Sequence, residues 1–376
     1  MSTAVTTETQ LRRLYAAGEL ADLADKVQAG QRLTVEDGLR LYRTPDLYAL
    51  AALANFVRER LHGDRTYFNV NQHINYTNIC NKFCRFCAFQ RRPKQEGAYW
   101  MTPEEIAERI THHLAEPVTE IHMVAGIYPK LGFDYYLDIL RAVKSVRPEV
   151  HIKAFTMVEL DQIARLAKRP LEDVLPELMA AGLDSVPGGG AEVFSERVRQ
   201  LTYPQKMSGQ RWLEVARTVH AAGLRSNCTM LYGHIETLEE RLEHMDLLRR
   251  LQDESGGFQA YIPLSFHPDG SEMAEVPGPT ALEELREMAV SRLMLDNIKF
   301  IKSYWVMLGE ATASIGLNFG ANDLDGTIGK ERIAHAALAE SPAGQARERM
   351  AASIREARRI PVERDALYNE IRVYDH

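Results

Sequence analysis

Apolar and polar positions follow two different rhythms along the chain. From about Thr9 to His62, apolar residues recur three and four positions apart, which predicts helices. Beyond Tyr67, short apolar runs alternate with longer amphipathic segments. Each short run predicts a strand, and each longer segment predicts a helix. This alternation predicts an α/β fold with a parallel sheet and right-handed crossovers.

Eight strands can be placed in the alternating part of the chain. They cover residues 67–74, 120–126, 151–159, 184–186, 225–233, 258–266, 301–309 and 314–323. Eight strand–helix units fit a TIM-like (β/α)8 barrel. We therefore expect three parts: an N-terminal helical cap over one barrel end at 1–66, the barrel itself at 67–329, and a C-terminal helical extension at 330–376.

Composition limits the size and the partners of this protein. Its 376 residues, 45% of them hydrophobic, can bury a large core. The net charge of −7 argues against nucleic acid or an anionic membrane as the main partner. No apolar run approaches about 18 residues, the length that a membrane span needs. The first residues also lack the apolar core of a secretory signal, so we expect a cytoplasmic protein.

Three of the four cysteines lie within eight residues, shortly after the first predicted strand. Cys80, Cys84 and Cys87 stand in the segment NQHINYTNICNKFCRFCAFQRR. Thiolates are soft ligands, so three of them on one loop favour zinc or an iron–sulfur cluster. Structural zinc needs a fourth protein ligand, for which His73 is the nearest candidate. A four-iron cluster held by three cysteines instead keeps one iron open.

Two further observations favour the cluster, while zinc and a disulfide stay as alternatives. Phe83, Phe86 and Phe89 stand between and beside the cysteines, where they would shield a cluster from water. A disulfide would leave one of the three cysteines unpaired, and no secretory signal indicates an oxidising compartment. The fourth cysteine, Cys228, lies among apolar residues of a predicted strand, and we expect it to be buried as a small hydrophobic residue.

The spacing C-x3-C-x2-C, with Phe86 immediately before the last cysteine, resembles the signature of the radical S-adenosylmethionine (SAM) superfamily. VPGGGAEVF (186–194), MLYGHIET (230–237), GANDLDGT (320–327) and VERDALYN (362–369) resemble the branch that works in the futalosine route to menaquinone. The resemblance spans nearly the whole chain. It implies a radical SAM barrel in which the three cysteines hold a [4Fe–4S] cluster, whose open iron chelates the methionine part of SAM, the co-substrate.

Residues just after the strands are the candidates for the site, because barrel chemistry lies at the C-terminal strand ends. For SAM binding, the strand ends and the resemblance point to Gly126, Glu159, Gly189, Gly190, Gly233 and Glu236. Glycines allow close backbone approach to a ligand, although they also serve tight turns. Glu159 and Glu236 are explained equally well as acids in the first turn of a helix, where the helix dipole favours them.

The catalytic candidates are His73, His234, His267 and Asp323. A lone histidine is also a common packing residue, and an alternative role for Asp323 is to order its own turn through Asx-type bonds. An acidic substrate would need cationic or neutral hydrogen-bond donors. The candidates for that role are His73, His267, Arg292 and Lys302.

One segment departs from the family pattern. After the second strand, the resemblance implies a Gly-Gly-x-His-Pro-like stretch whose backbone lines the methionine amino group. Here Ala125 and Tyr128 replace the expected Gly and His. A backbone role survives this change, whereas a catalytic role for a histidine at position 128 does not.

The resemblance also implies a reaction. FHP (266–268) and GANDLDGT look like the synthase of this branch; the related dehypoxanthine futalosine cyclase tends to carry a glutamine after that phenylalanine. The implied synthase adds a 5′-deoxyadenosyl radical from SAM to the double bond of 3-[(1-carboxyvinyl)oxy]benzoate. Rearrangement and decarboxylation then give 6-amino-6-deoxyfutalosine. The cyclase and a non-enzymatic zinc-binding scaffold are the alternatives.

Partners follow from the same resemblance. An external low-potential electron donor of the flavodoxin or ferredoxin type would reduce the cluster. The sequence does not identify that donor, and it leaves the formation of a homodimer open.

Overall fold

The computed structural model describes residues 18–112, 114–329 and 331–374. The first part of the expected N-terminal helix, from Thr9 to position 17, lies outside these residues. Three helices follow: α1 (Ala21–Gln28), α2 (Val35–Arg43) and α3 (Leu47–His62). Helix α2 begins at a capping box: the Thr34 side chain accepts the backbone N–H of Asp37, and the Asp37 side chain accepts the backbone N–H of Thr34. The expected helical character is confirmed for the described part of this region.

Seven parallel strands form the main sheet, and their order in the sheet is their order in the chain. They are β2 (Asn71–Ile74), β3 (Glu120–Met123), β4 (His151–Ala154), β5 (Ser185–Val186), β6 (Arg225–Tyr232), β7 (Phe258–Ser265) and β8 (Phe300–Ile301). Parallel neighbours require a crossover connection, as the alternating pattern predicts. The C-terminal ends of these strands and the loops after them surround one cavity.

Helices lie between the strands of this sheet and after its last strand. They are α4 (Pro103–Thr111), α5 (Phe133–Val146), α6 (Met157–Ala167), α7 (Leu171–Ala181), α8 (Glu196–Thr202), α9 (Gly209–Ala221), α10 (Leu238–Ser255), α11 (Ala281–Met294) and α12 (Trp305–Gly316). Local sequence fixes several starts, since threonines at positions 102, 156, 237 and 280 each form a capping box. The helices pack their apolar faces on the sheet, as the buried Ile139 and Leu140 of α5 illustrate.

The last two predicted strands are wrong in position. The apolar residues after β8 form helix α12 instead of the strand predicted at 301–309. Most of the strand predicted at 314–323 lies in the end of α12 and the turn after it, and the next strand, β9 (Asp323–Gly326), belongs to a second sheet. The reason is that periodicity cannot separate a short buried run in a strand from one in a helix.

A second sheet has four strands, in the order β11, β10, β1, β9. It consists of β1 (Arg65–Asn69), β9, β10 (Ile360–Arg364) and β11 (Glu370–Val373). The predicted first strand at 67–74 is therefore divided between the two sheets. Within the described residues of the expected helical extension, the helices are α13 (Ile333–Ala336) and α14 (Arg347–Glu356), and the prediction is wrong for the last part. Residues 360–364 become a strand because β1 pairs with them in parallel.

The pairing of β1 with β10 joins distant parts of the chain. β1 begins at Arg65, within the predicted N-terminal part, and β10 lies in the predicted C-terminal part. The domain boundaries at 66/67 and 329/330 stay a prediction. Among the helices of the described ranges, none has both the length and the apolar character for a membrane span.

Candidate active site

The loop after β2 carries the clustered cysteines and is held in shape by its own hydrogen bonds. Cys80 donates its backbone N–H to the Arg91 carbonyl oxygen at 3.1 Å. The side-chain amide of Gln90 donates to the Cys84 carbonyl oxygen at 3.0 Å. These bonds turn the loop back on itself. As a result, one cavity of about 340 Å³ is lined by Cys80, Cys84 and Cys87.

The three clustered thiols form no disulfide. Burial raises the pKa of Cys84 well above its usual range, and burial also raises the pKa of Cys87. Thiolates in this setting need a nearby positive charge, which bound iron would supply. The ligand set therefore fits an iron–sulfur cluster with one open position. Within the described part of the chain, no three His, Cys, Asp or Glu side chains are arranged to hold a single metal ion.

Other predicted residues meet the cysteines at this cavity. They come from four different strand ends, which agrees with the expected position of the site. The structure places on the cavity wall His73 of β2, Gly126 after β3, Gly189 and Gly190 after β5, and His267 after β7. The parallel sheet thus brings together residues that are up to about 190 positions apart in the sequence.

The glycine turn after β5 lies against β6. A Cβ on Gly188 would lie 2.2 Å from the Asn227 carbonyl oxygen, so only glycine fits. Gly190 has a φ of +85°, which glycine adopts without steric cost. Asn227 also lines the cavity, and its buried Oδ1 has no hydrogen-bond partner. The backbone and this amide therefore offer polar groups to a ligand.

A buried ion pair beside the cysteines was not predicted from the sequence. Glu192 and Lys206 form a salt bridge, and both side chains line the cavity. Burial opposes the charge, but Glu192 raises the pKa of Lys206, so the ammonium group stays protonated. Glu192 stands in VPGGGAEVF with a φ of +51°, which is uncommon for a residue other than glycine. This motif could have indicated Glu192 as a site residue from the sequence, whereas Lys206 stands in no motif.

A second polar group lines another part of the cavity. His73 and His122 stack with 4.4 Å between their ring centroids and 16° between their planes. Asp325 pairs at 2.8 Å with the buried Lys302, which directly follows β8. Glu331 also lines the cavity, and its carboxylate accepts backbone N–H groups of the helix α13 start. His122 was not predicted; its only signal was its place on the strand next to His73.

Three residues predicted for the site after β6, Gly233, His234 and Glu236, do not line the cavity. The Glu236 carboxylate accepts the backbone N–H of Gly233 at 2.6 Å and that of His234 at 3.0 Å. It also lies 2.9 Å from Nδ1 of His234 and 2.7 Å from Arg241. Burial opposes the charge, but His234 and Arg241 lower the pKa of Glu236 to about 2. These contacts order the turn before α10.

Glu159 is likewise away from the cavity wall. It belongs to the capping box that starts α6, in which it exchanges hydrogen bonds with Thr156. It also accepts hydrogen bonds from the Tyr76 hydroxyl at 2.5 Å and from the Ala125 backbone at 3.2 Å. Burial raises the pKa of Glu159 to about 7, although these donors favour the carboxylate. The structure therefore supports the helix-start explanation, with Glu159 tying α6 to the loop after β3.

Asp323 does not reach the cavity either. Its fully buried carboxylate pairs with Arg364 at 2.6 Å. Its other oxygen accepts the backbone N–H of Asp325 at 2.6 Å, which is the Asx-type turn that the sequence left as an alternative. Asp325, two residues later, takes the place on the cavity wall.

The segment that departs from the family pattern contacts the cysteine loop. Ala125 and Gly126 line the cavity, whereas Tyr128 does not. A Cβ on Gly126 would lie 2.4 Å from the Ile79 carbonyl oxygen, immediately before the first cysteine. Glycine is therefore required at 126, while position 128 is outside the site.

Comparison with known proteins identifies the fold. A profile described as the Radical SAM superfamily matches residues 74–248, and one described as the CofH/MqnC C-terminal region matches residues 255–376. Among solved structures, methylornithine synthase aligns with a TM-score of 0.70 and 18% identity, covering 89% of this chain and 95% of that one. The curled parallel sheet with its helices is thus the radical SAM fold, and the predicted fold is confirmed.

Relatives of higher identity narrow the class further. The chain is 50% identical to an aminodeoxyfutalosine synthase of Thermus thermophilus, over 95% of this chain and 97% of the relative. It is 40% identical to a 5-amino-6-(D-ribitylamino)uracil–L-tyrosine 4-hydroxyphenyl transferase of Methanothermobacter thermautotrophicus, over 90% and 94%. It is 35% identical to a cyclic dehypoxanthine futalosine synthase of Streptomyces coelicolor, over 95% and 90%.

The chain therefore belongs to the radical SAM superfamily and is an enzyme of its futalosine-pathway group. The predicted family is confirmed. The alternative of a non-enzymatic zinc-binding scaffold is wrong, because the relatives that match over the whole length are enzymes.

Proposed function

We propose that the chain is an aminofutalosine synthase, which joins the adenosyl part of SAM to 3-[(1-carboxyvinyl)oxy]benzoate. The observation that carries the proposal is the 50% identity to a synthase of this kind, against 40% and 35% to relatives with other activities. The FHP and GANDLDGT segments support the same choice. The first contributes Phe266 and His267 to the cavity wall, and the second contributes Asp325.

In this proposal, Cys80, Cys84 and Cys87 hold a [4Fe–4S] cluster, and SAM binds beside it. The reduced cluster would supply the electron that cleaves SAM into methionine and a 5′-deoxyadenosyl radical. Lys206 and Glu192 carry opposite charges beside the cysteines, and they complement the carboxylate and amino groups of the methionine part. The glycine turn at 188–190 leaves space for its backbone to approach the adenosyl part.

The second substrate binds against the apolar wall of the cavity. Leu231, Ile262, Leu264 and Phe266 line this wall and suit an aromatic ring. For this reaction, the cavity must hold the enol-ether double bond at the near-attack distance of about 3–3.5 Å from the radical carbon and exclude water from the reactive intermediates. Addition of the radical to this bond, followed by rearrangement and decarboxylation, gives 6-amino-6-deoxyfutalosine. His267 lines the same cavity, and its Nε2 lies 2.8 Å from the Met307 carbonyl oxygen.

The proposal extends to the setting of the enzyme. It is a cytoplasmic protein that receives electrons from a low-potential donor of the flavodoxin or ferredoxin type. An iron site with an open position favours a reducing compartment of this kind. Light scattering on the purified protein measures whether two copies associate.

The test is a product analysis under anaerobic conditions. The protein is reconstituted with iron and sulfide, reduced with dithionite, and incubated with SAM and 3-[(1-carboxyvinyl)oxy]benzoate. We expect equal consumption of both compounds and the mass of 6-amino-6-deoxyfutalosine, with no net release of 5′-deoxyadenosine, because the adenosyl part stays in the product. A reaction without dithionite is the control.

Parallel reactions test the other activities of the relatives. One contains SAM with dehypoxanthine futalosine, and another contains SAM with 5-amino-6-(D-ribitylamino)uracil and L-tyrosine. A cyclised product together with released 5′-deoxyadenosine would establish the cyclase instead. A product joining the uracil to the tyrosine fragment would establish the transferase, and either result overturns the proposal.

A further inference from the structure

Two stacked histidines line the cavity, and only one of them, His73, was a candidate from the sequence. His73 and His122 are direct partners in the register of β2 and β3, so their side chains point to the same face of the sheet. Their rings stack at 4.4 Å, and both line the cavity. His73 is only 8% exposed, and its buried Nε2 has no hydrogen-bond partner. A buried ring nitrogen without a partner is costly unless a ligand or water satisfies it.

The Glu120 carboxylate orients the second histidine, His122. Nδ1 of His122 lies 3.6 Å from the Glu120 carboxylate, which also pairs with the buried Lys153 at 2.6 Å. A carboxylate beside one ring nitrogen favours the tautomer with the proton on that nitrogen. Nε2 of His122 is then the atom that can accept a proton and donate it to a ligand.

Burial and the groups around His73 determine its protonation. Burial, followed by the neighbouring His122, lowers the pKa of His73 to about 3, so the His73 ring is neutral without a ligand. Asp325, Glu331 and Glu120 act in the opposite direction. Asp325 is already paired with Lys302, and Glu331 with backbone N–H groups, so neither occupies the histidines. A bound anion would offset the cost of protonating one ring.

The alternative cations for an acidic substrate are engaged elsewhere. Arg292 is buried and bonds to the Gly320 carbonyl oxygen at 2.8 Å and to the Asn322 side chain at 2.7 Å. Lys302 is held by Asp325. Lys206 lines the cavity but is held by Glu192 next to Cys84. Lys82 lines the cavity from the cysteine loop, and His267 lines it beyond β7, where its Nε2 lies 2.8 Å from the Met307 carbonyl oxygen. On the strands β2 and β3 themselves, the side chains that line the cavity are the two stacked histidines, and both can donate to an anion.

We propose that His73 and His122 together bind the aryl carboxylate of the second substrate. This inference rests on the proposed function and deepens it. The ring N–H groups donate to the carboxylate oxygens, and the apolar wall receives the aromatic ring. The enol ether, which lies meta to that carboxylate, is thereby directed toward the cysteine loop. The site selects aromatic acids over neutral aromatic compounds of the same shape.

The test compares a charged ligand with a neutral one. The probes are 3-(1-carboxyethoxy)benzoate, which lacks the reactive double bond, and the analogue whose aryl carboxylate is replaced by a carboxamide. Their dissociation constants are measured by calorimetry on the anaerobically reconstituted protein with SAM bound. We expect the wild type to prefer the acid by about tenfold to a hundredfold, the range for a charge-assisted hydrogen bond.

Two variants and one control complete the experiment. His122→Gln and His73→Gln should each reduce the preference for the acid to about threefold or less, while affinity for the carboxamide changes little. His112→Gln, which replaces a histidine with a 70% exposed side chain on the surface, should leave the preference unchanged. Thermal unfolding establishes that each variant is folded, and either of the two histidine variants suffices for the test.

The outcomes separate this inference from the proposed function. An unchanged preference in a folded variant, an equal loss of affinity for both probes, or no preference in the wild type overturns the role of the two histidines. Failure of the wild type to form 6-amino-6-deoxyfutalosine from the natural substrate overturns the proposed function instead. A wild type that forms product and variants that lose only the acid preference support both.

Discussion

The strand ends after β2 and after β6 both carry family motifs, yet they differ in where their polar groups point. After β2, three thiols line the cavity, and within the strand the buried Nε2 of His73 has no partner. After β6, His234 and Glu236 bind each other and the backbone of their own turn. Neither of these two side chains lines the cavity.

This difference separates ligand-binding residues from residues that order a turn. A polar side chain whose hydrogen-bonding capacity is filled within the protein has little left for a ligand. One that is buried with an unfilled atom on a cavity wall requires a ligand or water. A family motif contains both kinds of residue, because a site needs precisely ordered turns as well as direct contacts with its ligand.

The largest effect is expected in the cysteine loop. Cys84→Ala removes one of three ligands, so the cluster should be lost and turnover should fall to background. Iron content and the charge-transfer absorbance of the reconstituted protein measure this loss directly. Cys228→Ala is the matched control, since Cys228 is buried outside the cavity, and it should retain its iron. Full turnover by the Cys84 variant would end the proposed role of this loop.

The next effect concerns the buried ion pair beside the cysteines. Lys206→Met leaves Glu192 buried without its partner and removes the positive group proposed for the SAM carboxylate. We expect SAM affinity to fall by about tenfold to a hundredfold, measured by equilibrium dialysis. Lys130→Met, at an exposed lysine, is the control. If a folded Lys206 variant bound SAM with unchanged affinity, the pair of Lys206 and Glu192 would have a structural role, like the turn after β6, and would not bind SAM.

The turn after β6 should respond in stability and not in ligand binding. The pKa of Glu236 is lowered from 4.5 to about 2, which corresponds to about 3 kcal/mol of stability at neutral pH. Glu236→Gln should lose a large part of this free energy of unfolding, while the folded variant keeps its SAM affinity. Denaturant unfolding and equilibrium dialysis measure the two quantities.

The same variant has a defined pH dependence. Because the pKa of Glu236 is lower in the folded than in the unfolded chain, its contribution is present above about pH 4.5 and is lost as the pH falls toward 2. The stability difference between wild type and Glu236→Gln should therefore shrink on acidification. Glu239→Gln, in an exposed pair with Arg43, is the control and should change stability by about 1 kcal/mol or less. If Glu236→Gln lost SAM affinity while its stability stayed unchanged, Glu236 would be a ligand-binding residue and not one that orders its turn.

The smallest effect is expected at position 128. Tyr128→His restores the family residue, but Tyr128 does not line the cavity, so kcat/KM should stay within about threefold of the wild type. Gly126→Ala provides the contrast within the same segment. Its Cβ would press on the Ile79 carbonyl oxygen and displace the cysteine loop, so iron retention should fall. A large gain in activity from Tyr128→His would show that the replacement of the family histidine by Tyr128 had weakened the site.

The sequence was most informative where neighbouring residues carry the signal. The second to sixth predicted strands agree with the structure in type and approximate position, while the first is divided between the two sheets. The failures lie at 301–323 and in the C-terminal part. There, short apolar runs are compatible with strand and helix, and pairing with β1 decided the outcome at residues 360–364.

Several residues that the sequence predicted for the site line the cavity in the structure, and a local reason explains their position. The cysteines share one loop, and Gly126, Gly189 and Gly190 allow close approach of the backbone. The prediction missed Glu192, Lys206 and His122, whose importance depends on a partner from another segment. The sequence also indicated Glu159 and Glu236 as SAM-binding candidates and Asp323 and His234 as catalytic candidates. None of the four lines the cavity, and each is hydrogen-bonded within the protein.

The sequence by itself determined the ligand chemistry of the loop and the parallel α/β plan, because cysteine spacing and apolar periodicity are properties of residues close along the chain. Only the tertiary structure decided which strand-end residues share the cavity. The stack of His73 on His122 and the pair of Asp323 with Arg364 each join residues more than forty positions apart. Such contacts depend on strand register and burial, which no local pattern encodes.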